Sequence, residues 1–138
     1  MDINNLDKSI TQFAKSDNGK LKISMVPTQI FRDVAEVRMY GDCKYHAPNN
    51  WAIVNIDRYI DALLRHLLAF LDDHNSVDEE SGIPHYKHAA CNMAFICAMM
   101  DENWPKLKQH LIDTDPKLKE QIEKYISQAS KDSKKESE

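Results

Sequence analysis

Residues that form tight turns are scarce in this chain, because its 138 residues include only three glycines and five prolines. An all-β fold of this length needs many tight turns, and these two residue types supply most of them. Their scarcity therefore favours helices. A chain of this length also fits one domain and leaves no room for a second. The sequence predicts a single all-α domain of four or five helices.

The strongest helical pattern follows Asn55 or Asp57, either of which can start a helix. Seven large apolar residues recur there at helical spacing and lie on one arc: Ile56, Tyr59, Ile60, Leu63, Leu67, Phe70 and Leu71. A separate polar stripe lies on the far side: Arg58, Asp61 and Arg65. This segment is predicted to be an amphipathic helix.

The other segments of the chain have weaker patterns. A short extended segment is expected over residues 21–25, where apolar and polar residues alternate. Thr28 is expected to cap a helix that Gly41 ends. Pro84 fits the first position of a further helix that reaches Met100. Two shorter helices are predicted after it, near 105–112 and over 115–126.

These elements divide the chain into four parts. Residues 1–18 are polar and weakly patterned, so we expect a flexible arm, which the short extended segment follows. Residues 19–112 are predicted to form the helical domain, and residues 113–130 a C-terminal helix. Residues 131–138 are predicted to be a disordered charged tail, because they are of low complexity and strongly polar.

Composition narrows the classes of partner. The 18 basic and 22 acidic residues give a net charge of −4, which argues against a nucleic-acid polymer as the main partner. The longest apolar run, residues 94–100, is too short for a membrane helix, and the N-terminus lacks the pattern of a signal peptide. The three cysteines form no Cys-x-x-Cys pair, which suits a reducing cytosol.

Polar residues interrupt the arc of the helix that starts near Pro84. His85, His88 and Asn92 occupy the stripe that Phe95, Ile96 and Met99 continue towards the C-terminus. Burial of each polar group without a partner costs about 1–3 kcal/mol, so the three need partners. They could be residues at the core edge that bind one another, but three on one arc favour a site.

A carboxylate-rich loop lies directly before this polar stripe. Asp78 and Glu80 are close enough in sequence to reach His85 and His88. Carboxylates suit Mg²⁺ or Mn²⁺, and imidazoles favour Mn²⁺, Zn²⁺ or related metals. Residues 57–82, which include this loop, contain seven acidic residues and two arginines, a local charge of −5. The net negative charge of the chain is therefore concentrated in this segment. A metal site is predicted here, although the spacing matches no zinc signature.

Two further groups of residues each allow two interpretations. Arg58 and Arg65 could bind phosphates together with Lys44, or could form a surface ladder with Asp61. Tyr45 and Trp51, which lie near Asn49 and Asn50 in a polar segment, could stack on a base or anchor the segment to the core. Neither interpretation prevails from the residues alone.

Taken together, four motifs resemble the N-terminal domain of dATP/dGTP diphosphohydrolases, a phage-associated family that is similar to the MazG-like nucleotide pyrophosphohydrolases. The motifs are Met-Tyr-Gly-Asp-Cys-Lys-Tyr at 39–45, Asn50-Trp51, Arg-Tyr-Ile-Asp-Ala-Leu-Leu-Arg-His at 58–66, and Asp-Glu-Glu-Ser-Gly-Ile-Pro-His-Tyr-Lys-His at 78–88 with Asn92. The resemblance covers about residues 20–100. It implies a MazG-like helical bundle, usually a homo-oligomer, in a bacterial cytoplasm and encoded by a phage or prophage.

The resemblance also implies an activity and roles for residues. The activity is metal-dependent hydrolysis of purine deoxynucleoside triphosphates to monophosphate and pyrophosphate, with Mg²⁺ or Mn²⁺. The implied catalytic residues are Glu80, His85 and His88, and the implied metal ligands are His66, Asp78, Glu80 and His88. The implied substrate-binding residues are Lys44, Tyr45, Asn50, Trp51, Arg58, Arg65 and Asn92. The chain departs from MazG-like enzymes in lacking their paired Glu-x-x-Glu and Glu-x-x-Asp motifs at the expected places.

The same residues are compatible with two other classes of function. A nucleotide-binding protein without turnover, such as a phage protein that sequesters a nucleotide, would use the same basic and aromatic groups. A structural interaction module would instead depend on the C-terminal helix.

Overall fold

The structure, a computed structural model, describes residues 8–137, except for the side chains of Ser9 and Ser137. Within that range it contains six α-helices and no strand, which confirms the all-α prediction with one helix more than the upper expected number. The helices are α1 (Lys8–Ala14), α2 (Gln29–Tyr45), α3 (Ile56–Asp72), α4 (His85–Met100), α5 (Trp104–Thr114) and α6 (Pro116–Ser137). Two short 3-10 helices cover Ile23–Met25 and Asn50–Ile53.

Helix α4 is central because it packs against both α2 and α3. Lys87 of α4 ties it to α2 by ion pairs with Glu36 at 2.7 Å and with the buried Asp33 at 3.7 Å. The helices α5 and α6 contact each other and pack at the end of the molecule where α4 finishes. Leu118 of α6 is fully buried there, at 0% exposure.

Several predicted helix ends are correct and others are wrong. Asn55 caps α3, since its side chain accepts a hydrogen bond from the Asp57 backbone N–H at 3.0 Å. Helix α4 ends at Met100 as predicted. The prediction that Gly41 ends the preceding helix is wrong, because α2 continues for one more turn to Tyr45. His46 then ends it in the left-handed region, at φ 56°.

The two ends of the chain also differ from the sequence predictions. The arm predicted over residues 1–18 contains helix α1, and the part over 1–7 lies outside the described residues. The segment over 21–25, predicted to be extended, forms the 3-10 helix Ile23–Met25. At the other end α6 continues to Ser137, so residues 131–137 of the predicted disordered tail are helical, and residues 131–136 are exposed; residue 138 lies outside the described residues.

Much of the apolar arc of α3 remains uncovered in the single chain. Three residues of the arc and two leucines beside it form an exposed row that we name the apolar stripe: Ile60, Leu64, Leu67, Leu68 and Leu71, which are 38–60% exposed. No residue of α3 is fully buried. The arc predicted from the sequence therefore exists, but within this chain it is only partly covered by α4.

Candidate functional site

A cavity of about 770 Å³ lies between α2, α3, α4 and the 3-10 helix Asn50–Ile53. Its volume is within the range of about 300–1,000 Å³ that is typical of small-molecule sites. The wall that α3 contributes is the stripe opposite the apolar one, at i, i+3, i+4 and i+7 spacing: Asn55, Arg58, Tyr59, Ala62, Arg65 and His66. Helix α3 thus turns an apolar side outwards and a polar side into the cavity.

Four cationic side chains line the cavity. Arg58 and Arg65 come from α3 and Lys44 from α2. The fourth is Arg38 of α2, which hydrogen-bonds to the carbonyl of Pro48 and lies 5.3 Å from the ring centroid of Phe95. Arg38 was not predicted as a site residue. It lies on the same face of α2 as Gly41 and Tyr45, and a helix that is expected to end at Gly41 does not include Tyr45 on that face.

His66 and Asp78 line one end of the cavity, and His85, which does not line it, converges with them; we name these three residues the His-Asp cluster. The Nδ1 atoms of His66 and His85 are 2.8 Å apart, and one ligand atom from each of the three residues lies within 4.8 Å of the others. Burial, helped by the neighbouring His88 and His85, lowers the pKa of His66 to about 4. His66 is therefore neutral at pH 7 and has a nitrogen lone pair available.

A tight turn presents Asp78 to the cluster. The Asp78 backbone N–H donates to the Ile83 carbonyl at 2.9 Å, and the Gly82 N–H donates to the Asp78 carbonyl at 2.7 Å. Gly82 has φ 71°, where a side chain would be strained. Burial raises the pKa of Asp78, but the hydrogen bonds from the Ser81 backbone N–H and hydroxyl together lower it by more. The pKa of Asp78 is therefore below its ordinary value.

Ser81 connects Asp78 to His88, and the sequence analysis did not identify it. Its hydroxyl lies 2.8 Å from Asp78 Oδ2 and 2.7 Å from His88 Nε2. An ionised carboxylate only accepts hydrogen bonds, so the Ser81 hydroxyl donates its proton to the hydrogen bond with Asp78. The hydrogen bond between Ser81 and His88 must then be donated by His88 Nε2. Nδ1 of His88 then holds the lone pair. His88 is buried, at 8% exposure, and burial lowers its pKa, which keeps it neutral at pH 7.

Glu80 lines the cavity, but it forms its ion pair with Lys44 of α2 and not with the His-Asp cluster. Its carboxylate forms an ion pair with Lys44 at 2.8 Å, between two largely exposed side chains. Hydrogen bonds from Lys44 and Tyr40 lower the pKa of Glu80. The structure thus brings Asp78 to the histidines, whereas Glu80 joins the turn to α2.

The donor set of the His-Asp cluster fits a divalent metal. Two imidazole nitrogens and one carboxylate suit Mn²⁺, Zn²⁺ and related ions, whereas Mg²⁺ prefers oxygen ligands. Two nitrogens 2.8 Å apart can share only one proton between them, and a cation could take that proton's place. His66, His85 and Asp78 are therefore the side chains that would hold the ion.

The aromatic residues divide into anchors and pocket walls. Trp51 stacks on Phe95 with centroids 5.0 Å apart and on Trp104 at 5.2 Å, which favours the anchoring interpretation for this residue. Tyr45 is 42% exposed at the cavity, and Asn50 is buried at 8% exposure. Asn92 also lines the cavity, where its amide nitrogen donates to the His88 carbonyl at 2.9 Å.

The fold and site thus describe an all-α domain with a basic, aromatic cavity that ends at a His-Asp cluster. The family described as dATP/dGTP diphosphohydrolase, N-terminal, matches residues 11–110, and the chain belongs to that family. A relative named dATP/dGTP diphosphohydrolase, from Salmonella phage PMBT28, is 38% identical over 82 residues. That stretch covers 59% of this chain and 28% of the relative.

No solved structure matches the chain. Among the described residues, no helix is long and apolar enough to cross a membrane.

Proposed function

We propose that this chain hydrolyses purine deoxynucleoside triphosphates, dATP or dGTP, to the monophosphate and pyrophosphate. The observation that carries the proposal is that one cavity is lined by four cationic side chains and by His66 and Asp78 of the His-Asp cluster. Cations suit the phosphates of the substrate, and the cluster suits a divalent ion beside them. Membership of the family supports the choice of substrate class.

The proposed reaction is attack by water on the α-phosphorus. The bond between the α-phosphorus and the α,β-bridging oxygen breaks, and pyrophosphate leaves with the electron pair. His66, His85 and Asp78 would hold a divalent metal, Mn²⁺ in preference to Mg²⁺ because of the two imidazoles, which would supply Lewis acidity and lower the pKa of water. Arg58, Arg65 and Lys44 neutralise phosphate charge, and the lone pair of neutral His88 accepts the proton that water loses.

The other end of the cavity is proposed to hold the nucleoside. Asn55 and His66 are about 16 Å apart along the axis of α3, so the cavity wall is long enough to separate a base from the reacting phosphate. Tyr45 and Asn50 line the same cavity and offer a ring face and a carboxamide. Asn92 lies on α4 one turn beyond His88 and faces the sugar in this arrangement.

We also propose the setting in which the protein works. The apolar stripe of α3 supports a homo-oligomer, because exposed apolar patches of this kind mark association surfaces. The three free cysteines suit the reducing cytoplasm of a bacterial host, and the phage relative supports a phage or prophage origin. The partners proposed are thus a nucleotide and further copies of the chain, without nucleic-acid polymer or membrane.

The decisive experiment is a product analysis. Purified protein is incubated with each common deoxynucleoside and ribonucleoside triphosphate, with Mn²⁺ or Mg²⁺, and the products are separated by ion-exchange chromatography. We expect monophosphate and pyrophosphate in equal amounts from a purine deoxynucleotide. Monophosphate from none of the nucleotides with either metal would refute the proposal.

Two matched variants test the assignment of the cluster. Asp78→Asn removes the carboxylate that faces the histidines, and we expect a loss of turnover of about a hundredfold or more, because loss of a group that only orients a metal ligand already costs about 10–100-fold. Asp72→Asn makes the same chemical change on an exposed residue outside the cavity and should retain full activity. Equal activity of both variants would contradict the assignment.

One observation favours a second candidate, a nucleotide-binding protein without turnover. Among the described residues the cluster holds a single carboxylate, because Glu80 is paired with Lys44. Calorimetry that shows stoichiometric binding of a nucleotide, recovered intact with metal present, would support this candidate over hydrolysis.

A further inference from the structure

Helix α6 reaches the cavity although it lies beyond residues 11–110, which match the family. Gln121 Nε2 donates to the Tyr45 carbonyl at 2.8 Å, and the Tyr125 hydroxyl donates to Asn50 Oδ1 at 2.9 Å. Residues 121 and 125 are one helical turn apart and face the same way. Both bonds therefore act on the segment between α2 and the 3-10 helix Asn50–Ile53.

The start of α6 is fixed to the same segment. Asp115 accepts hydrogen bonds from the backbone N–H groups of Lys117 and Leu118, at 3.0 and 3.4 Å, and so caps the helix. Its other oxygen accepts from Asn49 Nδ2 at 2.9 Å. With Leu118 fully buried, the first turn of α6 is fixed before the helix reaches the cavity.

Asn50 is the residue through which α6 acts on the cavity. Its side chain is more than nine-tenths buried and lines the cavity, and its oxygen is occupied by the Tyr125 hydroxyl. Within residues 8–137 its amide nitrogen has no hydrogen-bond partner, yet it is not sealed off from the cavity. The nitrogen is thus left as a donor for a bound molecule.

We propose that α6 completes the nucleotide pocket, and that Tyr125 is a positioning residue that holds the Asn50 amide nitrogen towards the bound nucleotide. This inference rests on the proposed function, because it takes the ligand to be a nucleoside triphosphate. A carboxamide nitrogen is a donor only, so the group that it meets is an acceptor on the base or sugar. Without the Tyr125 hydroxyl the carboxamide is free to rotate and present its oxygen instead.

A double-mutant cycle on the full chain tests this coupling. Tyr125→Phe and Asn50→Ala are made singly and together, and KM, kcat and nucleotide Kd are measured for each variant. One hydrogen bond corresponds to about a three- to tenfold effect, so each single variant should raise KM and Kd by that factor. The value of kcat should change by less than about twofold, because the His-Asp cluster is untouched.

The double variant separates positioning from a general structural effect. If Tyr125 acts through Asn50, Tyr125→Phe has no further effect on KM in the Asn50→Ala background. Additive effects, or an unchanged KM in Tyr125→Phe, would overturn the inference. Lys124→Ala, on an exposed part of the same helix, is the control and should match the wild-type protein.

The two proposals fail in different ways. Absence of turnover in the wild-type chain removes the proposed function, and the same cycle is then read from Kd alone. If the wild-type chain turns over nucleotide and the cycle is additive, only the role of Tyr125 is wrong. Melting temperatures of all four proteins show whether a variant has lost its fold instead.

Discussion

At the scale of single residues, Ser81 shows how one hydroxyl can order a site. It donates to Asp78 and accepts from His88, and it also accepts the Ile83 backbone N–H at 3.2 Å. Asp78 and His85 could be predicted from the sequence because helical spacing and proximity bring them together. Ser81 could not, because a serine before a glycine is also an ordinary turn residue, and the partners of its hydroxyl are brought together only by the folded chain.

We therefore expect Ser81→Ala to lower kcat by about tenfold or more, since both Asp78 and His88 lose the group that orients them. Ser81→Thr keeps the hydroxyl and should recover most of the loss. The measurement is steady-state kinetics of the two variants beside the wild-type protein. Equal losses in Ser81→Ala and Ser81→Thr would point to packing in the turn as the cause, and no loss in either would contradict a role for the hydroxyl.

At the scale of elements, the helices were predicted better than their ends. The caps that follow simple rules, such as Asn55 before α3, could be located from the sequence. The role of Gly41 could not be predicted, because a glycine ends a helix only where the chain turns. Here α2 packs against α4 and remains helical beyond Gly41. The length of α6 was also missed, since a polar, charged composition is shared by solvated tails and exposed helices.

The attachment of α6 should depend strongly on one buried side chain. Leu118→Ala removes a fully buried leucine and should lower the free energy of unfolding by about 2–5 kcal/mol. Leu107→Ala makes the same change on α5, where the side chain is 47% exposed, and should cost much less. Chemical denaturation of the three proteins measures the difference. Equal effects of the two variants would mean that α6 is not anchored through Leu118.

The cap of α6 should give a stability that depends on pH. The hydrogen bond from Asn49, together with the backbone bonds of α6, lowers the pKa of Asp115 in the folded chain. Its carboxylate therefore stabilises the fold above the unfolded pKa near 4, and this contribution is lost as the pH falls through the folded pKa. Asp115→Ala should destabilise the chain by about 1 kcal/mol at pH 7.

Denaturation of the wild-type protein and Asp115→Ala over a series of pH values checks this sign. The difference in unfolding free energy should be constant above about pH 5 and should shrink below about pH 4. A difference that grows as the pH falls would show that the protonated form of Asp115 is the one that stabilises the helix.

At the scale of the whole molecule, the acidic segment and the apolar arc of α3 could be located from the sequence. The parts of the molecule that each of them contacts could not. The excess of acid over residues 57–82 includes Asp78, yet the cavity beside it is lined by four cationic side chains that come from α2 and α3. Those side chains are far apart in the chain, so their convergence follows from the packing of helices. The apolar arc of α3 was predicted as a pattern, but whether another part of the chain covers it is a question of tertiary structure.

The apolar stripe leads to a prediction about assembly. A helix that leaves five large apolar side chains exposed on the side opposite the cavity gains stability when a second copy of the chain covers them. We expect the wild-type chain to be a dimer or larger, and Leu68→Glu to shift it towards monomer, because a buried carboxylate without a partner is strongly unfavourable. Light scattering coupled to size-exclusion chromatography measures the mass.

The control for this prediction is Lys106→Gln, which changes the net charge by the same −1 on an exposed residue of α5 and should leave the mass unchanged. Leu68 is 60% exposed and does not line the cavity, so a monomeric Leu68→Glu should keep its helical circular dichroism. If that monomer also retains turnover, each chain holds a complete site and the stripe serves stability alone. A wild-type protein that is monomeric at high concentration, or a Leu68→Glu variant that keeps the wild-type mass, would contradict association through α3.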